Sequence, residues 1–248
     1  AGLILSGVAA ASGKVTRASL EAPWRYLVLG GLMIAYFVLM FEGLKTAAPV
    51  SMSAVFTLTP LMAAGFGWLL MRQRMTGRMA LALAVGAVGA LWVIFDGSLQ
   101  AALRFGVGRG EAVYFVGCAA HAVYAPLVRK LNRGEPALVF TLWTNLAGTA
   151  MLLIWGWPAL MATDWTALPP IVWITIAYTA IAATAATFVL LQFAALRLPS
   201  AKVMAYTYLT PSWVILWTLV LGQGVPPAVI LVGVALTVVA LLLLLKNE

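Results

Sequence analysis

The sequence holds one cysteine, Cys118, and one histidine, His121. A single cysteine excludes an internal disulfide, and this pair leaves too few ligands for a zinc site. No metal or cofactor is expected. Acid is scarce too, with seven Asp and Glu against fifteen Lys and Arg. No P-loop, glycine-rich dinucleotide fingerprint or zinc-protease motif occurs. An ATP-driven motor therefore has no parts on this chain.

What is present is apolar surface. At 64% hydrophobic and 9% charged, with a mean hydropathy of +1.03, the chain cannot hide its side chains in one soluble core. Apolar runs about 20 residues long recur, as membrane-spanning helices require. They cover residues 24–44, 49–71, 78–96, 111–130, 137–158, 168–194, 199–222 and 226–245, with a shorter run at 1–11. The net charge of +8 does not indicate nucleic acid, because the basic residues fall between these runs.

Two runs share an interruption. Leu58-Thr59-Pro60 lies near the centre of 49–71, and Leu209-Thr210-Pro211 near the centre of 199–222. Proline removes one helical hydrogen bond and crowds the preceding turn, so a broken helix is expected at each place. The echo extends outwards: Ala54 matches Ala205, and Gln73 has a counterpart in Gln223. Phe41-Glu42-Gly43-Leu44-Lys45 resembles Phe193-Ala194-Ala195-Leu196-Arg197 after a one-residue shift. One unit is thus written twice, as a first repeat over 1–97 and a second over 110–246. In this register the run 111–130 lacks a partner and 1–11 is the end of a helix. About one and a half helices are therefore expected to precede Ala1. The expected fold is an all-α integral membrane protein with ten transmembrane helices in two five-helix repeats.

Charge sets the expected orientation. Lys45, Arg104 and Arg109 lie on one side; the other twelve basic residues, from Lys14 to Lys246, lie on the other. The positive-inside rule puts the richer side, with the C-terminus, in the cytoplasm. Five being odd, the repeats must be inverted. The basic link Arg72, Arg74 and Arg78 has an uncharged equivalent after residue 222, as inversion requires. Ala82, Gly86 and Ala90, at four-residue spacing, predict a close helix crossing. Trp24, Trp155, Trp157 and Trp165 read as an interfacial belt.

Candidate site residues follow from depth in the bilayer. Inverted-repeat carriers bind substrate near the midplane, where helices are interrupted. Pro60 has no N–H for the carbonyl of Phe56, and Pro211 none for that of Thr207, so both prolines are candidate hinges. A freed carbonyl should face a cavity or a polar neighbour. Thr57, Thr59, Thr207 and Thr210 lie close by, and the plainer alternative is a packing kink relieved by their hydroxyls. Tyr36, His121, Tyr124, Trp143, Asn145, Thr175, Tyr178, Thr179 and Trp213 lie at comparable depth. Tyr206 and Tyr208 are about 200° apart on an α-helix, so Tyr206, one turn from Thr210, is expected to line the cavity while Tyr208 packs. His121 is a candidate by being ionisable and mid-span; a neutral imidazole bonded to a hydroxyl is its alternative. The substrate-binding candidates are Tyr36, Thr57, Thr59, His121, Tyr124, Trp143, Tyr178, Tyr206 and Thr210. Glu42, Asp96 and Glu111 all sit near span ends, which leaves no mid-span carboxylate relay and favours a facilitator or a weakly coupled exporter.

Phe41-Glu42-Gly43-Leu44-Lys45, Ala47-Ala48, Leu58-Thr59-Pro60 and the exit from Trp68 to Gln73, with weaker copies in the second half, make the sequence similar to the drug/metabolite transporter superfamily, EamA type. The resemblance covers essentially the whole chain. It implies ten helices, cytoplasmic termini, a central cavity and efflux by alternating access. The exit from the first broken helix departs from the family pattern: Gln73 stands where an acid is usual, which puts a salt bridge there in doubt. Within the superfamily the general likeness is to bacterial aromatic amino acid exporters.

The expected activity is therefore export of amino acids, aromatic ones foremost, and related metabolites from the bacterial inner membrane. The partners are a small-molecule substrate and the lipid bilayer, with no nucleic acid, and a monomer would suffice. Tyrosine and tryptophan faces attract ammonium groups and stack on rings. Organic phosphates and nucleotide sugars, the in-class alternative with other drugs and metabolites, need cavity cations, and Lys202 is two turns from the midplane. An intramembrane enzyme would need a nucleophile with a positioned base, and the duplication argues against a purely structural or receptor-like protein.

Overall fold

A computed structural model describes residues 1–220, 222 and 227–245. Gln223 and Lys246, which enter the repeat and charge arguments, lie outside the described residues. The described chain is helical and contains no strand. Its helices are α1 Gly2–Ser12, α2 Trp24–Leu44, α3 Pro49–Phe56, α4 Thr59–Met71, α5 Gly77–Ile94, α6 Leu99–Leu103 and α7 Arg109–Leu131. Then come α8 Ala137–Ala162, α9 Pro170–Tyr178, α10 Thr187–Ala195, α11 Ser200–Ala205, α12 Thr210–Val220 and α13 Ile230–Leu245. Among the described residues six stretches are long and apolar enough to cross a membrane: Trp24–Leu44, Pro49–Met71, Gly77–Ile94, Arg109–Leu131, Ala137–Ala162 and Pro170–Ala195.

Both Leu-Thr-Pro sequences interrupt a helix. α3 ends at Phe56, and α4 starts at Thr59 with Pro60 in its first turn, where a missing N–H costs nothing. In the second copy a 3-10 turn, Tyr206–Leu209, separates α11 from α12. A third irregularity was not legible in the composition: a π-helix, Thr179–Ala186, joins α9 to α10, and Thr187 Oγ1 donates across its wide turn to the carbonyl of Ala182 at 2.9 Å.

The chain divides into two compact units, and each takes helices from both halves of the sequence. The first comprises Ala1–Ala35 and Leu127–Arg197. Its core joins α1 to α8 and the π-helix through Leu5, Ala9, Leu142 and Ala185. α2 and α8 cross at Gly30 and Gly148, where a Cβ on Gly30 would stand 2.6 Å from the Gly148 nitrogen. Beside this crossing Arg25, 1% exposed, is fixed by three groups. Its Nη2 donates to Glu135 Oε1 at 2.6 Å, its Nη1 to the Leu131 carbonyl at 2.7 Å and its Nε to the Ala22 carbonyl at 3.2 Å.

The second unit comprises Tyr36–Pro126 and Leu198–Glu248. α5 and α13 pack along their lengths, with Gly89 against Gly233; a Cβ on either would come within 2.8 Å of the other's carbonyl oxygen. One turn earlier Tyr208 lies over Gly86, 1% exposed, among Ala82, Leu83, Ala90, Leu241 and Leu244. The small-residue stripe of α5 thus accepts both a helix and a tyrosine ring. α4 and α11 are tied by Gln73, whose Oε1 accepts the Ser200 N–H at 3.1 Å.

Candidate functional site

The second unit encloses a cavity of about 640 Å³, within the usual size range of ligand sites. Its walls come from α2 (Tyr36, Met40, Leu44), from α3 and the turn after it (Pro49, Ser53, Phe56, Thr57) and from the end of α5 (Val93, Asp96). Tyr114 of α7, Thr207, Thr210 and Pro211 at the second helix break, and Ile230 of α13 complete it. Leu44 and Pro49 stand at helix ends and Asp96 just past one; Tyr36 stands at mid-helix and Pro211 directly after the second helix break. The cavity therefore runs from one end of the helices to the level of both interruptions.

Its inner wall is aromatic. Tyr36 and Tyr114 bring their hydroxyls to 3.4 Å, with ring centroids 6.1 Å apart. Phe56 stacks on Tyr114 at 6.4 Å. His121 stacks on Tyr36 at 4.6 Å and on Phe56 at 5.8 Å, and its Nδ1 has no hydrogen-bond partner among the described residues. The imidazole backs the wall without lining it.

The threonines at the breaks are engaged locally. Thr57 Oγ1 donates to the Ser53 carbonyl at 3.0 Å, and Thr207 Oγ1 to the Met204 carbonyl at 2.7 Å. Ser53 Oγ likewise donates to the Pro49 carbonyl at 3.0 Å. These bonds do part of what a relieved kink requires, yet Thr57 and Thr207 line the cavity as well.

Of the sequence candidates, Tyr36, Thr57, Thr210 and Pro211 meet in this cavity. Thr59 and Pro60 are buried just behind Thr57, and Tyr124 is fully buried further along α7. Tyr206 is 46% exposed and does not line the cavity. The reason lies in the 3-10 winding: at three residues per turn, positions four apart no longer share a face. Trp143 and Tyr178 belong to the first unit. There Trp143 Nε1 donates to Ser19 Oγ at 3.2 Å and its ring leans on Tyr26, while Tyr178 is 66% exposed. Phe56 and Tyr114 escaped the sequence reading. Tyr114 precedes His121 by two helical turns and so shares its face of α7, a spacing that could have flagged it.

Comparison with known proteins adds three findings. The family model described as the EamA-like transporter family matches residues 1–95 and 108–246. The "Uncharacterized transporter YyaM" of Bacillus subtilis (strain 168) is 29% identical over 130 residues, 52% of this chain and 43% of that protein. The chain thus spans less than half the length of this relative. A solved crystal structure, described only as that of a protein, superposes with a TM-score of 0.78 over 98% of this chain and 82% of its own, at 21% identity. That likeness concerns the fold.

Proposed function

The chain belongs to the EamA-like transporter family, and on that premise we propose that it exports amino acids, aromatic ones foremost, from the bacterial cytoplasm. The observation that carries this reading is the cavity of about 640 Å³ with Tyr36, Phe56 and Tyr114 on its inner wall. Aromatic rings prefer offset or edge-on partners at the spacings these side chains offer a guest ring. Ten helices in two inverted repeats, cytoplasmic termini and alternating access belong to the same reading. Two broken helices at the inner end of the cavity support it, because interrupted helices let a repeat rock around a fixed site. With the basic loops in the cytoplasm, the Leu44, Pro49 and Asp96 end of the cavity is the outward one.

Among the lining residues Asp96 is the one charged side chain. That disfavours organic phosphates and nucleotide sugars, whose charge calls for arginine or lysine. It also leaves no mid-span carboxylate in the described lining for a proton relay, so the carrier is read as a facilitator or a weakly coupled exporter.

Counterflow of labelled phenylalanine or tryptophan tests the proposal, using full-length protein in proteoliposomes without an ion gradient. Uptake by the wild type, lost in Tyr36→Ala, supports it. No uptake with or without a proton gradient removes the amino acid assignment.

A further inference from the structure

Three of the aliphatic hydroxyls that line the cavity have already given their protons away. Ser53, Thr57 and Thr207 each donate to a carbonyl of their own helix, at 3.0, 3.0 and 2.7 Å. A hydroxyl has one proton, so each turns only lone pairs towards a guest. Of the paired phenols Tyr36 and Tyr114, one proton is spent on the other oxygen. Asp96 is a further acceptor and carries the only charge among the described lining residues. Lys45, next in sequence to the lining residue Leu44, is held by Glu42 at 2.6 Å.

From this we propose that the ammonium group and the ring of the substrate are what this cavity recognises, and that the carboxylate of an amino acid is dispensable. The favoured ligand class is an aromatic primary amine. The inference rests on reading this cavity as the substrate site. The face of a tyrosine or phenylalanine ring attracts a cation, and a low-dielectric cleft focuses the field of its one carboxylate. A bound carboxylate would find only Thr210 and one phenol as donors, both neutral, where charge-assisted bonds are the strong ones.

The test pairs two measurements on the full-length protein. Phenethylamine and 3-phenylpropionate, which share a ring but carry opposite charges, are titrated against the melting temperature in detergent. Phenylalanine counterflow is measured in parallel. Phenethylamine should raise the melting temperature at concentrations about tenfold below those needed for 3-phenylpropionate. Asp96→Asn should weaken the amine several-fold and leave the neutral analogue 2-phenylethanol unchanged. Asparagine suits this variant because residue 96 has φ 52°, which Asn tolerates. An amine effect without phenylalanine counterflow supports the cation site and removes amino acid export. An equal or stronger effect of 3-phenylpropionate overturns the inference whatever the counterflow. So does intact counterflow with no response to the amine.

Discussion

Arg25 and Glu135, 110 residues apart in sequence, form an ion pair at 2.6 Å with side chains only 1% and 9% exposed. Glu135 Oε2 also accepts the Arg133 N–H at 2.7 Å, so the pair pins the turn between α7 and α8 to the start of α2. Removing one member of a buried pair strands the other. Glu135→Ala should therefore cost about 3–5 kcal/mol of stability. The double change Arg25→Met with Glu135→Leu should cost clearly less. Denaturant unfolding in detergent measures both, and an equal loss for the two would discard the ion pair as the cause.

The same pair gives a pH dependence. Burial alone would raise the Glu135 carboxyl, but the Arg25 guanidinium and the Arg133 N–H outweigh it and hold the group below its ordinary value of 4.5. A carboxyl depressed in the folded state contributes stability that is complete above its unfolded value and lost as pH falls through the folded one. The melting temperature should fall more steeply below about pH 4.5 in wild type than in Glu135→Gln. Identical slopes would refute the assignment.

Close glycine crossings predict a graded response to added bulk. Gly89→Leu and Gly233→Leu each force a side chain onto opposing backbone, at a cost of about 1–3 kcal/mol or more. Gly65→Ala, whose Cβ would meet nothing within 4 Å, should be neutral or slightly stabilising. Melting temperatures of the three variants settle the order.

Gln73 predicts that the acid usual at the α4 exit is replaceable here because the position needs an acceptor. Its Oε1 receives the Ser200 N–H at the start of α11. Gln73→Glu should be neutral or stabilising by a few tenths of a kcal/mol, since a carboxylate favours a helix N-terminus. Gln73→Leu should lose about 1–2 kcal/mol by leaving that buried N–H unmet. Thermal melts of both variants check the pair, and a tolerated leucine would contradict it.

The helix break at Tyr206–Leu209 predicts a kinetic effect. The Thr207 carbonyl accepts the Thr210 N–H in a 3-10 bond; Pro211→Ala supplies the N–H needed for the α-helical bond instead and favours an uninterrupted helix. Counterflow should slow several-fold while ligand-induced melting shifts persist. Unchanged counterflow would remove Pro211 from the hinge.

The helix breaks were legible because proline acts within one turn of its own position. So were six of the eight expected spans, which depend on runs of like residues; 199–222 and 226–245 are not among the described stretches long and apolar enough to cross. The site was legible in depth but not in direction. Counting along a span places Tyr36, Trp143 and Tyr178 at similar heights, yet only packing decides which of them faces a cavity. The Tyr206 expectation assumed α-helical winding through 206–209, where the backbone tightens instead. Arg25 gave no sign of its partner, since nothing local in the sequence joins it to Glu135. The continuation of α8 past Pro158, where the expected span ended, was equally hidden, because neighbouring helices can compensate for the lost bond.

Because each compact unit draws on both halves of the sequence, neither can be finished while the ribosome has made only the first. Arg25 leaves the ribosome 110 residues before Glu135. At about 5–20 residues per second this leaves the guanidinium without its carboxylate for about 5–20 s. During that interval its natural refuge is the headgroup region, within reach of its long side chain. α2 is thus inserted before it can be locked, and the ion pair acts as a late latch on a segment already in the bilayer.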